Sequence, residues 1–381
     1  MKSKKKIMLV FGTRPEAIKM APLYHALKES SDLFETQVCV TAQHRQMLDQ
    51  VLRVFDIKAD IDLDLMKAGQ DLFDVTASVL LGMRDVLKNE RPDVLLVHGD
   101  TTTTLASAIA GFYAGVSVGH IEAGLRTHNL YAPFPEEFNR QVASKVTKWH
   151  FAPTALSRQN LLNEGVPAIQ ISVTGNTVID ALLWVLNRIE SDAFRQASIS
   201  KFLDERLPFS WQQDQFVLIT GHRRENFGDG FMQICEAVRE LAIHYPDVHF
   251  VYPVHLNPNV QQPVKLMLMR LSNVHLIDPL DYEPFVYLLK HCYLVLTDSG
   301  GIQEEAPSLG KPVLVMREVS ERPEAIDAGT VRLVGANRER IVTNVSELIE
   351  NKISYKKMSH AHNPYGDGMA CRRIIDTLGA I

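Results

Sequence analysis

The chain has 381 residues, of which 46% are hydrophobic, and this length predicts two domains rather than one compact core. The formal net charge of -5 argues against a nucleic-acid-binding surface, which would be clearly basic. No stretch approaches the ~20 consecutive apolar residues of a membrane span, so we predict no membrane segment.

The cysteines and the N-terminus predict the compartment. The 4 cysteines lie far apart without a C-x-x-C pair, which disfavours disulfides and a zinc site and favours a reducing compartment. The basic start leads into an apolar run, residues 7–11, that is too short for a secretory signal peptide. We therefore expect a cytoplasmic protein without a bound metal.

Short apolar runs alternate with helix-like stretches along the chain. Most runs are rich in Val, Ile and Leu and do not alternate with polar residues, which is typical of strands buried on both faces of a parallel sheet. The runs are residues 7–11, 38–41, 94–97, 116–121, 150–152 and 171–173, then 216–220, 249–253, 274–277, 293–297, 312–316 and 331–334. This repetition predicts a doubly wound α/β architecture.

A helical, polar stretch, residues 182–215, lies between two series of strands. We therefore place the domain boundary near Gly175 and Asn176, with a first domain at residues 1–176 and a second domain from residue 177 onward. We expect two Rossmann-like domains that face a cleft, with ligands bound beyond the carboxyl ends of the strands.

The first motif, Gly12-Thr13-Arg14-Pro15-Glu16, follows the opening strand. Pro15 suits the first turn of a helix, and Arg14 at that helix start is well placed for a phosphate. A plain turn with a solvated arginine is the structural alternative. Because the motif is not a G-x-G-x-x-G dinucleotide fingerprint, we predict no NAD-dependent mechanism.

Acidic residues follow two later strands. Asp100 comes after the run 94–97 and Glu122 after the run 116–121, so both could converge at one sheet edge. Paired carboxylates shift each other's pKa and can divide acid and base roles. Asp100 could instead cap the next helix, although threonines at 101–104 are available for that task. Glu136 and Glu137, taken alone, are best explained as the acidic first turn of a helix.

Two motifs follow strands of the second domain. His222 is followed by two arginines; an imidazole titrates near neutrality, and the arginines favour a phosphate. Ser299, Gly300 and Gly301 open a helix whose free N–H groups could hold a phosphate, and a plain glycine-rich turn is the weaker alternative. The polar block 41–46 in the first domain suits a sugar or nucleotide and a helix start equally well.

Together these blocks resemble the non-hydrolysing UDP-N-acetylglucosamine 2-epimerase family, from Phe11-Gly-Thr-Arg-Pro-Glu to Asn363-Pro-Tyr-Gly-Asp-Gly. The resemblance covers essentially the whole chain. It implies the two-domain fold of GT-B glycosyltransferases, a second domain that ends at residue 364, and a last helix, residues 365–381, that crosses back to the first domain. It also implies a homodimer and no redox cofactor.

The resemblance further implies roles for individual residues. The positions needed for catalysis are Asp100, Glu122, Glu136 and His222. The positions that bind the substrate and its UDP are Arg14, Lys19, Phe285, Ser299, Gly300, Gly301 and Glu305. A second, regulatory UDP-sugar site in bacterial members matches Gln43, Gln46, Gln70 and Arg140, although Gly69 stands where some members have arginine.

The implied reaction is reversible epimerisation at C2 of UDP-N-acetylglucosamine (UDP-GlcNAc) to UDP-N-acetylmannosamine (UDP-ManNAc). UDP leaves C1 while the C2 proton is removed, and it adds back to 2-acetamidoglucal after reprotonation from the other face. We expect Asp100 and Glu122 to handle the C2 protons and Glu136 to orient the sugar. The product would supply a surface polysaccharide such as a capsule, and UDP-GlcNAc is also a candidate activator.

Four alternatives remain open. A hydrolysing 2-epimerase would release free N-acetylmannosamine, and a glycosyltransferase of the same fold would need an acceptor. A non-catalytic UDP-sugar sensor would not turn its ligand over. An epimerase of diacetamido-uronic acid sugars would differ only in the groups that it recognises at C3 and C6.

Overall fold

The computed structural model describes residues 4–42, 45–67, 69–320 and 322–380. These residues form two compact units, and each has its own sheet. Unit 1 contains the described residues up to Ala181 and those from Tyr365 onward, and unit 2 contains Leu182–Pro364. The predicted boundary, after residue 176, falls at the start of the helix that carries the chain out of unit 1.

The strands of both units are parallel, as the unbroken apolar runs predicted. In unit 1 they are β1 (Lys5–Phe11), β2 (Phe34–Val40), β3 (Ile61–Asp62), β4 (Val94–His98), β5 (Ser117–Ile121), β6 (Trp149–Ala152) and β7 (Ile171–Val173), in the sheet order β3-β2-β1-β4-β5-β6-β7. In unit 2 they are β8 (Phe216–Thr220), β9 (His249–Pro253), β10 (Val274–Ile277), β11 (Leu294–Thr297), β12 (Val313–Val315) and β13 (Val331–Leu333), in the order β10-β9-β8-β11-β12-β13.

Helices lie between successive strands along the chain, as parallel strands require. They are α1 (Arg14–Glu29), α2 (Arg45–Val54), α3 (Leu72–Glu90), α4 (Thr102–Tyr113), α5 (Glu136–Val146), α6 (Ala155–Asn163), α7 (Thr177–Ser191), α8 (Ala193–Asp204), α9 (Asp229–His244), α10 (Pro258–Leu268), α11 (Tyr282–His291), α12 (Gly300–Glu305), α13 (Pro323–Asp327), α14 (Arg338–Glu350), α15 (Lys352–Ser359) and α16 (Ala370–Ala380). Among the described residues, no helix is both long enough and apolar enough to span a membrane.

Each sheet lies in the core of its unit. Strand β4 is buried along its whole length, so its Val and Leu side chains face apolar neighbours on both sides of the sheet. Strand β3 was not predicted. It is only two residues long and pairs with the end of β2. A run that short has no hydrophobic periodicity to recognise.

The last helix returns to unit 1, as the resemblance implied. Helix α16 packs against α1, and the carboxylate of Asp180 on α7 accepts hydrogen bonds from the backbone N–H groups of Ala370 (3.2 Å) and Cys371 (2.9 Å). An acidic side chain at these N–H groups satisfies donors that would otherwise lack partners at the helix start.

Candidate active site

Three loops that carry predicted site residues meet at one edge of the unit 1 sheet. Strands β1, β4 and β5 are neighbours in the sheet and run parallel, so the residues that follow them lie at the same carboxyl edge. Arg14 follows β1 and opens α1, Asp100 follows β4, and Glu122 follows β5 directly. Asp100 and Glu122 therefore follow neighbouring strands at the same edge of the unit 1 sheet, and the joint role that the sequence suggested for them stays a prediction.

Glu16 joins the first two of these loops. It is 2% exposed, and its Oε2 accepts hydrogen bonds from the N–H groups of Gly12 (3.0 Å) and Thr13 (2.8 Å) and from the Thr13 hydroxyl (2.8 Å). Its Oε1 accepts from the hydroxyls of Thr101 (2.6 Å) and Thr104 (3.3 Å) beyond β4. No role was predicted for Glu16, although the Thr-x-x-Glu spacing of a capping box is a signal for it in the sequence.

Asp100 is held by a buried arginine. Its Oδ2 accepts hydrogen bonds from Nε (2.9 Å) and Nη2 (2.7 Å) of Arg140 on α5. The third nitrogen of that guanidinium, Nη1, donates to Glu137 (3.1 Å), whose carboxylate is fully buried. Thr101 rather than Asp100 caps α4, so the Asp100 carboxylate does not serve as a helix cap. The regulatory role implied for Arg140 stays a prediction, because its described contacts are with these carboxylates.

Glu122 adopts an unusual backbone conformation at the end of β5. Its φ of 64° is left-handed, a region that costs energy for a residue with a Cβ and is often retained at functional sites. Its carboxylate forms an ion pair with Lys19 of α1 and accepts a hydrogen bond from the Asn176 side chain (2.8 Å). Lys19 was predicted to bind UDP, and that role is not tested by this contact.

Three histidines form a buried row beside Glu122. His98, His120 and His150 lie on the adjacent strands β4, β5 and β6, with His120 directly opposite His150 in the register. Burial lowers the pKa of His98 and of His120 to about 4 and that of His150 to about 3. His98 Nε2 lies 3.9 Å from Glu122 Oε2. The row is therefore neutral at physiological pH.

Other predicted unit 1 residues have fewer contacts. Glu136 is the first residue of α5 and is half-buried, and its carboxylate makes no hydrogen bond or ion pair with the described part of the chain. Gln70 accepts a hydrogen bond from the Lys67 N–H (2.7 Å). Gln43 and the side chain of Gln46 lie outside the described residues.

In unit 2, His222 follows β8 and Asp298 follows the neighbouring strand β11. The Asp298 carboxylate is fully buried and accepts hydrogen bonds from the N–H groups of His222 (2.9 Å) and Arg223 (2.8 Å). Burial, as the largest cause, lowers the pKa of His222, and Asp298 opposes this effect. The sequence did not reveal the pairing, because the two residues are far apart in the chain.

The segment that opens α12 is shaped by glycine. A Cβ added to Gly300 would lie 3.0 Å from the guanidinium carbon of Arg322, so a larger residue would make that side chain shift by a few tenths of an ångström. Arg322, which lies outside the predicted motifs, also donates to Glu304 (2.7 Å). Together with the N-cap residue Ser299 and with Gly301, this segment presents a cation beside backbone N–H groups, a combination suited to a phosphate.

The remaining unit 2 candidates lie on two helices. Glu305 ends α12, is buried, and accepts a hydrogen bond from the Tyr282 hydroxyl (3.0 Å). Tyr282 opens α11, and Phe285 lies three residues further along that helix, half-buried. Tyr282 and Phe285 therefore share a helix face, and Tyr282 contacts Glu305, the carboxylate predicted to bind UDP.

Comparison with known proteins gives one consistent result. Residues 25–379 match the family model described as UDP-N-acetylglucosamine 2-epimerase. The chain is 58% identical over 373 residues to the UDP-N-acetylglucosamine 2-epimerase of Yersinia pestis, with 98% of each chain covered. It is 56% identical over 374 residues to that of Escherichia coli K12, again covering 98% of each chain.

The solved structures agree with the sequence relatives. The UDP-GlcNAc 2-epimerase from Neisseria meningitidis, solved bound to UDP-GlcNAc, is 51% identical with a TM-score of 0.89, and the alignment covers 99% of this chain and 100% of that one. The predicted fold class, two parallel-sheet α/β domains of the GT-B-like kind, is confirmed by this similarity.

Proposed function

The chain belongs to the UDP-N-acetylglucosamine 2-epimerase family, and on this premise we propose that it interconverts UDP-GlcNAc and UDP-ManNAc by elimination and re-addition of UDP. The observation that carries the proposal is the carboxyl edge of the unit 1 sheet. There Asp100 and Glu122 follow neighbouring strands, and each carboxylate already contacts a cation that fixes its position.

The chemistry explains why two such groups are needed. The C2 proton of the sugar lies next to an acetamido group and an acetal carbon, so it is only weakly acidic. A base removes this proton while the C1–O bond breaks, the electron pair of that bond leaves with UDP, and a C1=C2 double bond forms in 2-acetamidoglucal. Reprotonation of C2 from the opposite face and re-addition of UDP at C1 give the epimer.

We assign the C2 protons to Asp100 and Glu122, one for each face of the sugar ring, and the orientation of the sugar to Glu136. Arg140 supports the first carboxylate through two hydrogen bonds to Oδ2. The left-handed backbone at Glu122 supports the second assignment, because a strained residue at a strand end is retained where its position matters.

The leaving diphosphate needs positive charge and hydrogen-bond donors. We assign this task to Arg14 and Lys19 in unit 1 and to His222 and the Ser299–Gly301 segment in unit 2. Phe285 and Glu305 are assigned to the uridine. The contact between Tyr282 and Glu305 supports this last assignment, because it fixes a carboxylate that can accept ribose hydroxyls.

Three further proposals concern the biological setting. We propose that the protein is a homodimer that supplies an N-acetylmannosamine donor for a surface polysaccharide. We also propose that UDP-GlcNAc activates it at a second site with Gln43, Gln46, Gln70 and Arg140. The cysteines at 39, 235, 292 and 371 are free and buried, which supports a reducing compartment, the cytoplasm.

Proton NMR of the protein with UDP-GlcNAc in D₂O, without added nucleotide cofactor or metal, tests the activity. We expect UDP-ManNAc to appear and both epimers to gain deuterium at C2. Asp100→Asn and Glu122→Gln should each lower turnover by at least ~100-fold, whereas the exposed-site control Asp85→Asn should not. Accumulation of free N-acetylmannosamine would identify a hydrolase, and no change in UDP-GlcNAc would refute the assigned substrate.

A further inference from the structure

One oxygen of a buried carboxylate in unit 2 has no hydrogen-bond partner among the described residues. Asp298 is 0% exposed, and its Oδ2 accepts from the N–H groups of His222 and Arg223 and from the Asn226 side chain at 3.3 Å. Its Oδ1 accepts from none of the described groups. A buried carboxylate oxygen without a donor is costly, so it calls for an explanation.

The nearest candidate donor is the imidazole of His222. Its Nδ1 lies 3.7 Å from Asp298 Oδ1, slightly beyond hydrogen-bond distance. The His222 side chain is 44% exposed, so the ring has room to rotate toward the carboxylate, whereas Asp298 is held by its three donors. A small rotation of the imidazole would therefore satisfy the free oxygen.

We propose that Asp298 is the positioning residue of His222: its Oδ1 accepts the Nδ1–H of the imidazole and leaves Nε2 available to the substrate diphosphate. The choice of Nε2 as the reacting nitrogen rests on the proposed function. A carboxylate that binds one ring nitrogen selects the tautomer and the ring orientation, and it also stabilises the imidazolium form. Protonated His222 can then donate to the β-phosphate oxygen as the C1–O bond breaks.

The charges around His222 make such a partner necessary. The ring stacks on His255, which follows β9, with 5.2 Å between ring centroids, and Arg223 is its neighbour in the loop. Both groups, together with burial, oppose a positive charge on His222, and Asp298 is the carboxylate that favours it. Without Asp298 the pKa of His222 would be lower still, so a smaller fraction of the imidazole would be protonated and able to donate to a diphosphate.

Nitrogen-15 NMR of the full chain with labelled histidine tests the proposal without substrate, with the His222 signals assigned by a His222→Gln variant. In the wild type we expect neutral His222 to be the Nδ1–H tautomer. In Asp298→Asn the amide oxygen can keep the three donors of Oδ2, while the NH₂ group faces the ring and cannot accept. We expect the Nε2–H tautomer there and a His222 pKa at least ~1 unit lower.

Asp229→Asn is the matched control, because it removes the same charge from an exposed residue in the same unit. It should leave the tautomer and the His222 titration unchanged.

With UDP-GlcNAc, Asp298→Asn should lower kcat at least ~10-fold near pH 7.5, change KM less than kcat, and shift the pH profile to lower pH. A loss caused only by misfolding would not shift the profile in this way.

The outcomes are separable from those of the proposed function. An Nε2–H tautomer in the wild type, or a His222 titration in Asp298→Asn that matches the wild type, would overturn the proposal. If Asp298→Asn does not fold, the tautomer of His222 in the wild-type protein alone tests the proposal. If the tautomer and titration are as expected but wild-type protein leaves UDP-GlcNAc unchanged, the pairing stands and the proposed substrate fails.

Discussion

Glu16 shows how one buried carboxylate can fix two loops of unit 1. Its two oxygens accept from the loop after β1 and from the loop after β4, which carry Arg14 and Asp100 respectively. Burial raises the pKa of Glu16, and the hydrogen bonds from Thr101, Thr13 and Gly12 oppose that rise. The relative position of Arg14 and Asp100 therefore depends on a side chain that need not contact the substrate.

Replacement of Glu16 tests this dependence. Glu16→Ala should lower the free energy of unfolding by at least ~2 kcal/mol, because buried donors lose their acceptor. Glu16→Gln keeps one carbonyl oxygen for Gly12 and Thr13, and its NH₂ group can donate to Thr101, so it should lose less stability and less turnover. Urea unfolding and epimerisation assays measure both quantities. Equal losses in the two variants would show that the amide cannot replace the carboxylate, which would contradict the expected retention of the hydrogen bonds to Gly12 and Thr13.

Variants of Arg140 and Glu137 distinguish an effect on stability from an effect on activity. Arg140→Met should destabilise unit 1 by ~3–5 kcal/mol, because fully buried Glu137 loses its cation. The double variant Glu137→Gln, Arg140→Met removes that uncompensated charge and should recover part of the stability. It should not recover turnover, since Asp100 still lacks its guanidinium. Recovery of both stability and turnover would refute the positioning of Asp100 by Arg140.

At the scale of elements, strand ends and helix starts create the site, and this level was largely predictable. The apolar runs predicted the strands, and the residues that follow those runs included the site candidates Asp100, Glu122, His222 and Ser299. The contacts among those residues were not predictable, because Asp298 and His222, or Arg140 and Asp100, are brought together only by sheet order and helix packing. The short strand β3 was missed for a different reason, its lack of periodicity.

Gly12 tests how closely the loop after β1 must approach its neighbours. A Cβ at Gly12 would lie 2.1 Å from Thr41 Oγ1 and 2.7 Å from Thr103 Oγ1, so Gly12→Ala must displace the loop that carries Arg14 or the two buried threonine side chains that pack against it. We expect turnover to fall by at least ~10-fold, since a displacement of about 1 Å can cost ~100-fold. Gly379→Ala on α16 is the control, because its Cβ would meet only Leu33 at 3.9 Å. Similar turnover in both variants would contradict the tight fit.

At the scale of the whole molecule, buried neutral histidines predict acid sensitivity. Histidines of both units have pKa values lowered by burial, including His150 to about 3 and His275 to about 4. In the unfolded chain they would titrate near ~6.5. The unfolded state therefore binds more protons below that pH, so stability is complete above ~6.5 and declines as the pH falls toward 4.

Thermal unfolding between pH 7.5 and pH 5 measures this decline. The midpoint should fall with pH, with each buried histidine contributing up to ~1.4 kcal/mol per pH unit. His150→Phe removes one titrating group from the row and should flatten the pH dependence. A wild-type midpoint that is constant across this range, or an equally steep decline in His150→Phe, would show that His150 does not stay neutral in the folded protein.

Cleavage of the C1–O bond is the central claim, and an oxygen label in the substrate tests it most directly. UDP-GlcNAc with ¹⁸O in the bridge between C1 and the β-phosphate is incubated with the protein, and the label is followed by phosphorus NMR. If UDP leaves and adds back, the β-phosphate can rotate before re-addition, and we expect ¹⁸O to appear in non-bridging positions as UDP-ManNAc forms. If UDP-ManNAc forms while all the label stays in the bridge, the C1–O bond never breaks and the elimination mechanism is wrong.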